Sequence, residues 1–147
     1  MTKLQNKLCG ACIFLCAILE ALSLIGAFAA DYFTRTRMGM LRHVVYMNGK
    51  WEKLFLIPFI RVAALCVIIA LAVIACIRYF KMRINGMTSL TAALVVLLSV
   101  WTVYFLFFFN TGINRAYYIL SICFILATMF QNIIYHCLCH MKGKSIK

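Results

Sequence analysis

Acidic side chains are almost missing from this chain of 147 residues. It carries 3 Asp and Glu against 15 Lys and Arg, and charged residues of both signs reach only 12%. Soluble domains usually carry about 25%. With 66% of residues hydrophobic and a mean hydropathy of +1.00, there is too little polar surface to cover the apolar mass in water. That disfavours a soluble enzyme, a disordered chain and a nucleic-acid-binding domain. Proline occurs once, and no long linker, low-complexity tract or internal repeat interrupts the sequence. The net charge of +12 is of the kind that meets lipid headgroups and fixes topology when basic residues flank apolar runs. No nucleic-acid partner is expected.

Four long apolar runs account for most of the chain. They cover about 8–30, 54–77, 89–109 and 116–137, each near the roughly 20 residues that a helix needs to cross the hydrocarbon core. The first is too long for the apolar region of a cleavable signal peptide, and three more follow it. The expected architecture is a single all-α membrane domain over residues 1–147, a four-transmembrane-helix bundle. Lys and Arg give the orientation. Eight fall in the N-terminus, the second loop and the C-terminal tail, against six in the first and third loops, which places both termini in the cytoplasm. Neither external loop contains a cysteine, so no external disulfide is available.

The first loop, about residues 31–53, is the largest exposed piece. Within it Asn48-Gly49 lies between Val44-Val45-Tyr46-Met47 and Lys50-Trp51. An Asn-Gly pair between apolar or aromatic residues signals a tight hairpin turn, because both central residues must tolerate positive φ. A small extracellular β-hairpin is expected there, leaning on the helix ends or on a partner. Asn85-Gly86 is read as the second turn, and residues 110–115 as the third.

Two ionisable residues lie inside apolar runs: Glu20 near the middle of the first and Arg61 about two turns into the second. Groups at such depth cost at least ~2.5 kcal/mol and are functional hypotheses by default. At about 1.5 Å per residue they differ in depth by roughly 6 Å, within the reach of an arginine. They are read as an intramembrane ion pair, with Arg61 snorkelling alone, or Glu20 serving a partner or an ion, as alternatives. One acidic residue among four spans is poor material for a proton relay, and no catalytic constellation, nucleotide loop or cofactor motif is present.

Cys9, Cys12, Cys137 and Cys139 sit beside lysines at the cytoplasmic helix ends, as lipidation sites or as small apolar packing residues do. A zinc site using His136 and His140 fits poorly with Cys-x-Cys spacing, and no metal or other cofactor is expected. Cys9-Gly10-Ala11-Cys12 has redox spacing but no second cysteine pair across the membrane to serve. Ser23 with Ala27 and Gly26 with Ala30 permit close helix approach. The run Phe105 to Phe109 reads as filler facing lipid or a partner. Asn110, Gln131 and Asn132 are candidates for interhelical hydrogen bonds.

Several short segments carry a family resemblance. Leu24-Ile25-Gly26-Ala27, Asp31-Tyr32-Phe33-Thr34-Arg35-Thr36-Arg37, Asn48-Gly49-Lys50-Trp51 and Arg61-Val62-Ala63 resemble the claudin, peripheral myelin protein and stargazin superfamily of tetraspan proteins. The loop cysteine pair of that superfamily is absent, and the first loop is under half the usual length. The resemblance therefore implies a non-enzymatic accessory subunit of a larger channel or receptor in the plasma membrane, rather than a barrier-former. Phe33, Tyr46 and Trp51 are the expected partner contacts. A self-associating junction or adhesion protein is the alternative, and a small membrane enzyme acting on a lipid or thiol a third reading.

Overall fold

In the computed structural model, which describes residues 2–53, 57–81 and 86–143, the chain forms five helices. They are α1 (Thr2–Thr36), α2 (Met38–Glu52), α3 (Ile57–Lys81), α4 (Gly86–Phe108) and α5 (Tyr117–Gly143). Four contain stretches long and apolar enough to cross a membrane: Lys7–Thr36, Phe59–Phe80, Thr88–Phe108 and Tyr117–Met141. The chain is thus a multi-pass integral membrane protein. Helices are the natural form for such segments, since lipid offers no partner for a free N–H or C=O. The single proline, Pro58, falls in the first turn of α3, where its missing N–H costs nothing. Gly86 of the expected Asn85-Gly86 turn opens α4, while Asn85 lies outside the described residues.

The first loop is not a hairpin. Residues 38–52 form α2, joined to α1 through Arg37 alone in an extended conformation (φ −113°, ψ 110°), and there is no strand among the described residues. Neither Asn48 nor Gly49 has positive φ, so the turn that the pair favours does not form. The reason lies in what Asn48 reaches. Its Nδ2 donates to the Arg115 carbonyl at 2.6 Å, and it shares a buried helix face with Val44, one turn earlier. Val44, Asn48 and Trp51 recur at helical spacing, and a helix presents all three to the bundle, whereas a strand would turn Trp51 to the face opposite Val44 and Asn48.

Helix α5 is central. It packs along α1 on one side and α4 on the other, and α3 closes against α4 and α5. The side of α1 that meets α5 carries Cys16, Glu20, Ser23, Ala27, Ala30 and Thr34, all buried or half-buried. Their spacing of four and three is that of a coiled-coil seam. Apart from Glu20 these side chains are small, which allows close approach; a Cβ added to Gly26 would lie 4.0 Å from Cys123 Sγ of α5.

Two apolar clusters fill the interior. One, toward α2, joins Ala27, Ile68, Phe105, Leu106, Tyr117 and Leu120. The other, toward the far end, joins Ala75, Ala92, Val95, Tyr135 and Cys139. Phe105 belongs to the first cluster rather than to the lipid face. It stacks on Phe109 (4.8 Å between centroids) and Tyr117 (5.7 Å) and meets Phe124 edge-on (5.0 Å). Phe107 and Phe108 point outward.

Candidate functional site

Lipid lowers the cost of placing an apolar group anywhere on these helices and raises that of an unsatisfied polar one, so the polar contacts mark what the bundle specifies. Between the two apolar clusters lies a polar layer. Thr102 of α4 and Thr128 of α5 are both buried, with their hydroxyls 2.8 Å apart. Each hydroxyl also lies near a carbonyl of its own helix, Thr102 Oγ1 2.8 Å from that of Leu98 and Thr128 Oγ1 2.7 Å from that of Phe124. Two protons thus serve three contacts, and the hydroxyl that donates across the helices gives up its own carbonyl. Asn132 donates to the Thr128 carbonyl at 2.9 Å, leaving its own Oδ1 unpartnered.

Glu20 joins this layer from α1. With the Gln131 amide oriented so that both its ends are satisfied, its nitrogen lies 2.7 and 3.2 Å from the two Glu20 carboxylate oxygens. Gln131 is buried in the bundle. Glu20 therefore finds its donor on α5, and no ion pair links it to Arg61 among the described residues. Gln131 makes an interhelical bond as expected, with a partner the sequence did not reveal, whereas Asn132 donates within α5 and Asn110 Oδ1 accepts from the adjacent Thr111 N–H.

Arg61 is occupied differently. Its guanidinium donates to the Leu106 carbonyl and lies over the Tyr117 ring at 5.6 Å. Leu106 is in the last turn of α4, where carbonyls lack intrahelical partners and the helix dipole favours a cation. Tyr117 Oη donates to the same carbonyl at 3.3 Å. An arginine inside a span is thus held by a helix C-terminus and an aromatic face rather than by an acid.

The other two acidic residues bind the α4–α5 connection to the rest of the molecule. Thr111 Oγ1 donates to Glu52 Oε1 at 2.6 Å, and Asn114 Nδ2 to Asp31 Oδ1 at 3.4 Å. Asp31 also forms the ion pair with Arg35, at 3.0 Å. Asn114 Oδ1 accepts from the Ala116 N–H at 3.1 Å, turning the chain into α5. With Asn48 on the Arg115 carbonyl, the eight-residue connection between α4 and α5 is tied to α1 and to α2.

The expected partner contacts divide. Phe33 and Tyr46 are exposed, whereas Trp51 is half-buried against Tyr118, edge to face at 5.5 Å. The lipidation candidates divide as well. Cys12 is exposed, Cys9 and Cys137 are intermediate, and Cys139 is buried, beside Tyr135 where an acyl donor has no access. Cys12 is a neighbour of Cys16 on its own helix and of Cys137 on α5. Nearby, Arg78 donates to Nδ1 of His136 at 2.9 Å. No three His, Cys, Asp or Glu side chains converge as metal ligands among the described residues. No protein-family model, curated protein or solved structure matches the chain.

Proposed function

We propose that this protein is a non-enzymatic tetraspan accessory subunit, claudin-like in plan, with both termini in the cytoplasm and its site of action in the plasma membrane. Its partner is a larger channel or receptor whose assembly, trafficking or gating it modulates. The observation that supports this reading is the outward side of α1. Phe14, Leu22, Ile25 and Phe28 are exposed along a helix that packs mainly on α5, and the exposed row continues into Tyr32, Phe33 and Tyr46. A partner helix laid along α1 buries that row through van der Waals packing, the main attraction between helices in lipid. The aromatic end then meets the partner's juxtamembrane region.

The test is the composition of the native complex. The protein, tagged at its C-terminus, is extracted from native membranes in a mild detergent, and the intact mass and subunits are measured. A stoichiometric larger membrane protein, lost when Phe28→Ala and Tyr46→Ala are combined, is the expected result. A homo-oligomer without a second protein overturns the reading in favour of self-association. A monomer whose folding is intact overturns both.

A further inference from the structure

A groove of about 720 Å³ opens on the flank of the bundle between α3 and α5, within the 300–1,000 Å³ range typical of small-molecule sites. Away from α2 its walls are aliphatic, with Leu65, Ile122 and Ile125 among them. Toward α2 they turn polar and aromatic, where Trp51, Glu52, Arg61, Asn110 and Tyr118 converge. The groove is therefore amphipathic along its length.

The polar end holds one cation and one anion, Arg61 and Glu52, which are not joined in an ion pair. Tyr118 lines the same end of the groove. Arg61 spends one donor on the Leu106 carbonyl, and a guanidinium has five, in a fork that suits phosphate oxygens. Glu52 accepts from Thr111 through Oε1 and keeps its second oxygen. Beside it, the Trp51–Tyr118 pair offers the kind of π surface that attracts an alkylammonium group.

We infer that this groove binds a zwitterionic glycerophospholipid, with its phosphate on Arg61, its ammonium group at Glu52 beside Trp51 and Tyr118, and an acyl chain along Leu65, Ile122 and Ile125. The charges discriminate among lipids. An anionic headgroup such as phosphatidylglycerol places the same phosphate on Arg61 but brings no cation to Glu52, and so forgoes the second charge-assisted contact. An uncharged sterol or diacylglycerol leaves the Arg61 donors unpaired in an apolar setting, which costs more than the contact gains. The inference does not depend on the accessory-subunit reading, since lipid binding is a property of the isolated chain.

The experiment is native mass spectrometry of the delipidated full-length protein in a nonionic detergent, titrated with equimolar dioleoyl-phosphatidylcholine and dioleoyl-phosphatidylglycerol. One bound phosphatidylcholine is expected, favoured about tenfold over phosphatidylglycerol, the scale of one charge-assisted contact. Arg61→Gln lowers phosphatidylcholine retention by about the same factor. Because Arg61 also holds the end of α4, the deciding variant is Glu52→Gln, at an exposed position where the amide oxygen still accepts from Thr111 Oγ1. It abolishes the preference for phosphatidylcholine while one lipid still binds. Glycerophosphocholine, which has the headgroup but no chains, does not displace the bound lipid. Equal binding of the two lipids by the unaltered protein, an unchanged preference in Glu52→Gln, or displacement by glycerophosphocholine each overturns the inference.

Discussion

Replacing Gln131 by Leu tests whether Glu20 is held as a charged group by α5. The carboxylate accepts from the Gln131 nitrogen at 2.7 and 3.2 Å, a short contact of the charge-assisted kind. Hydrogen bonds to charged groups contribute about 1.5–3 kcal/mol, whereas neutral ones between membrane helices average about 0.6 kcal/mol. Gln131→Leu alone should therefore cost about 2 kcal/mol. Glu20→Gln removes the charge as well as the stronger bond. Placing an acid at mid-span costs about 2.5–3.5 kcal/mol, and relief of that cost roughly offsets the lost bond, so this variant should be neutral or slightly more stable. In the Glu20→Gln background, Gln131→Leu should cost only about 0.6 kcal/mol. The coupling is then about 1.4 kcal/mol, a tenfold change in the folding equilibrium. Reversible unfolding of the purified protein in mixed micelles, followed by Trp fluorescence, gives all four free energies. A coupling below about 0.5 kcal/mol, the limit within which independent sites add, would refute the arrangement. The companion cycle of Glu20→Gln with Arg61→Gln should fall below that limit, since the two side chains have separate partners.

Three further outcomes follow from the packing. Gly49→Ala should stabilise the protein by up to ~1 kcal/mol, because Ala is the better helix former and a Cβ there meets nothing within 4 Å; a lower melting temperature would point back to a turn with positive φ. Thr102→Val and Thr128→Val should each destabilise by about 0.5–1.5 kcal/mol with strong non-additivity, as expected of one shared interhelical bond; strictly additive losses in a double-mutant unfolding series would contradict it. Phe105→Ala should cost about 2 kcal/mol, from a cavity of about 100 Å³ at about 24 cal/mol per Å³. The transfer contribution is small because the unpacked helix still lies in lipid. Phe107→Ala, on the exposed side, should change the same unfolding free energy by under ~0.5 kcal/mol.

The four apolar helices were legible because each is specified locally. A run of about 20 apolar residues in lipid must satisfy its own backbone, and a helix does so whatever its neighbours are. Glu20 and Arg61 stood out for a similar reason, as charges in the wrong solvent. Their contacts were not legible. Glu20 meets an amide on α5, and Arg61 meets the end of α4, because the order of helices in the bundle brings those groups within reach, and spacing along one helix carries no trace of that order. Asn48-Gly49 failed for the opposite reason. Its local preference was clear, but the preference is weaker than the contacts that Val44 and Asn48 make with the bundle when residues 38–52 are helical. Phe105 and Phe107 are identical in composition and differ only in which neighbour they face. The sequence alone thus determined the apolar spans and where charge is costly. Only the tertiary structure decided that α5 is central, how each costly polar group is satisfied, and that a cation and an anion flank one end of a lipid-sized groove, since all of these depend on groups far apart in the chain.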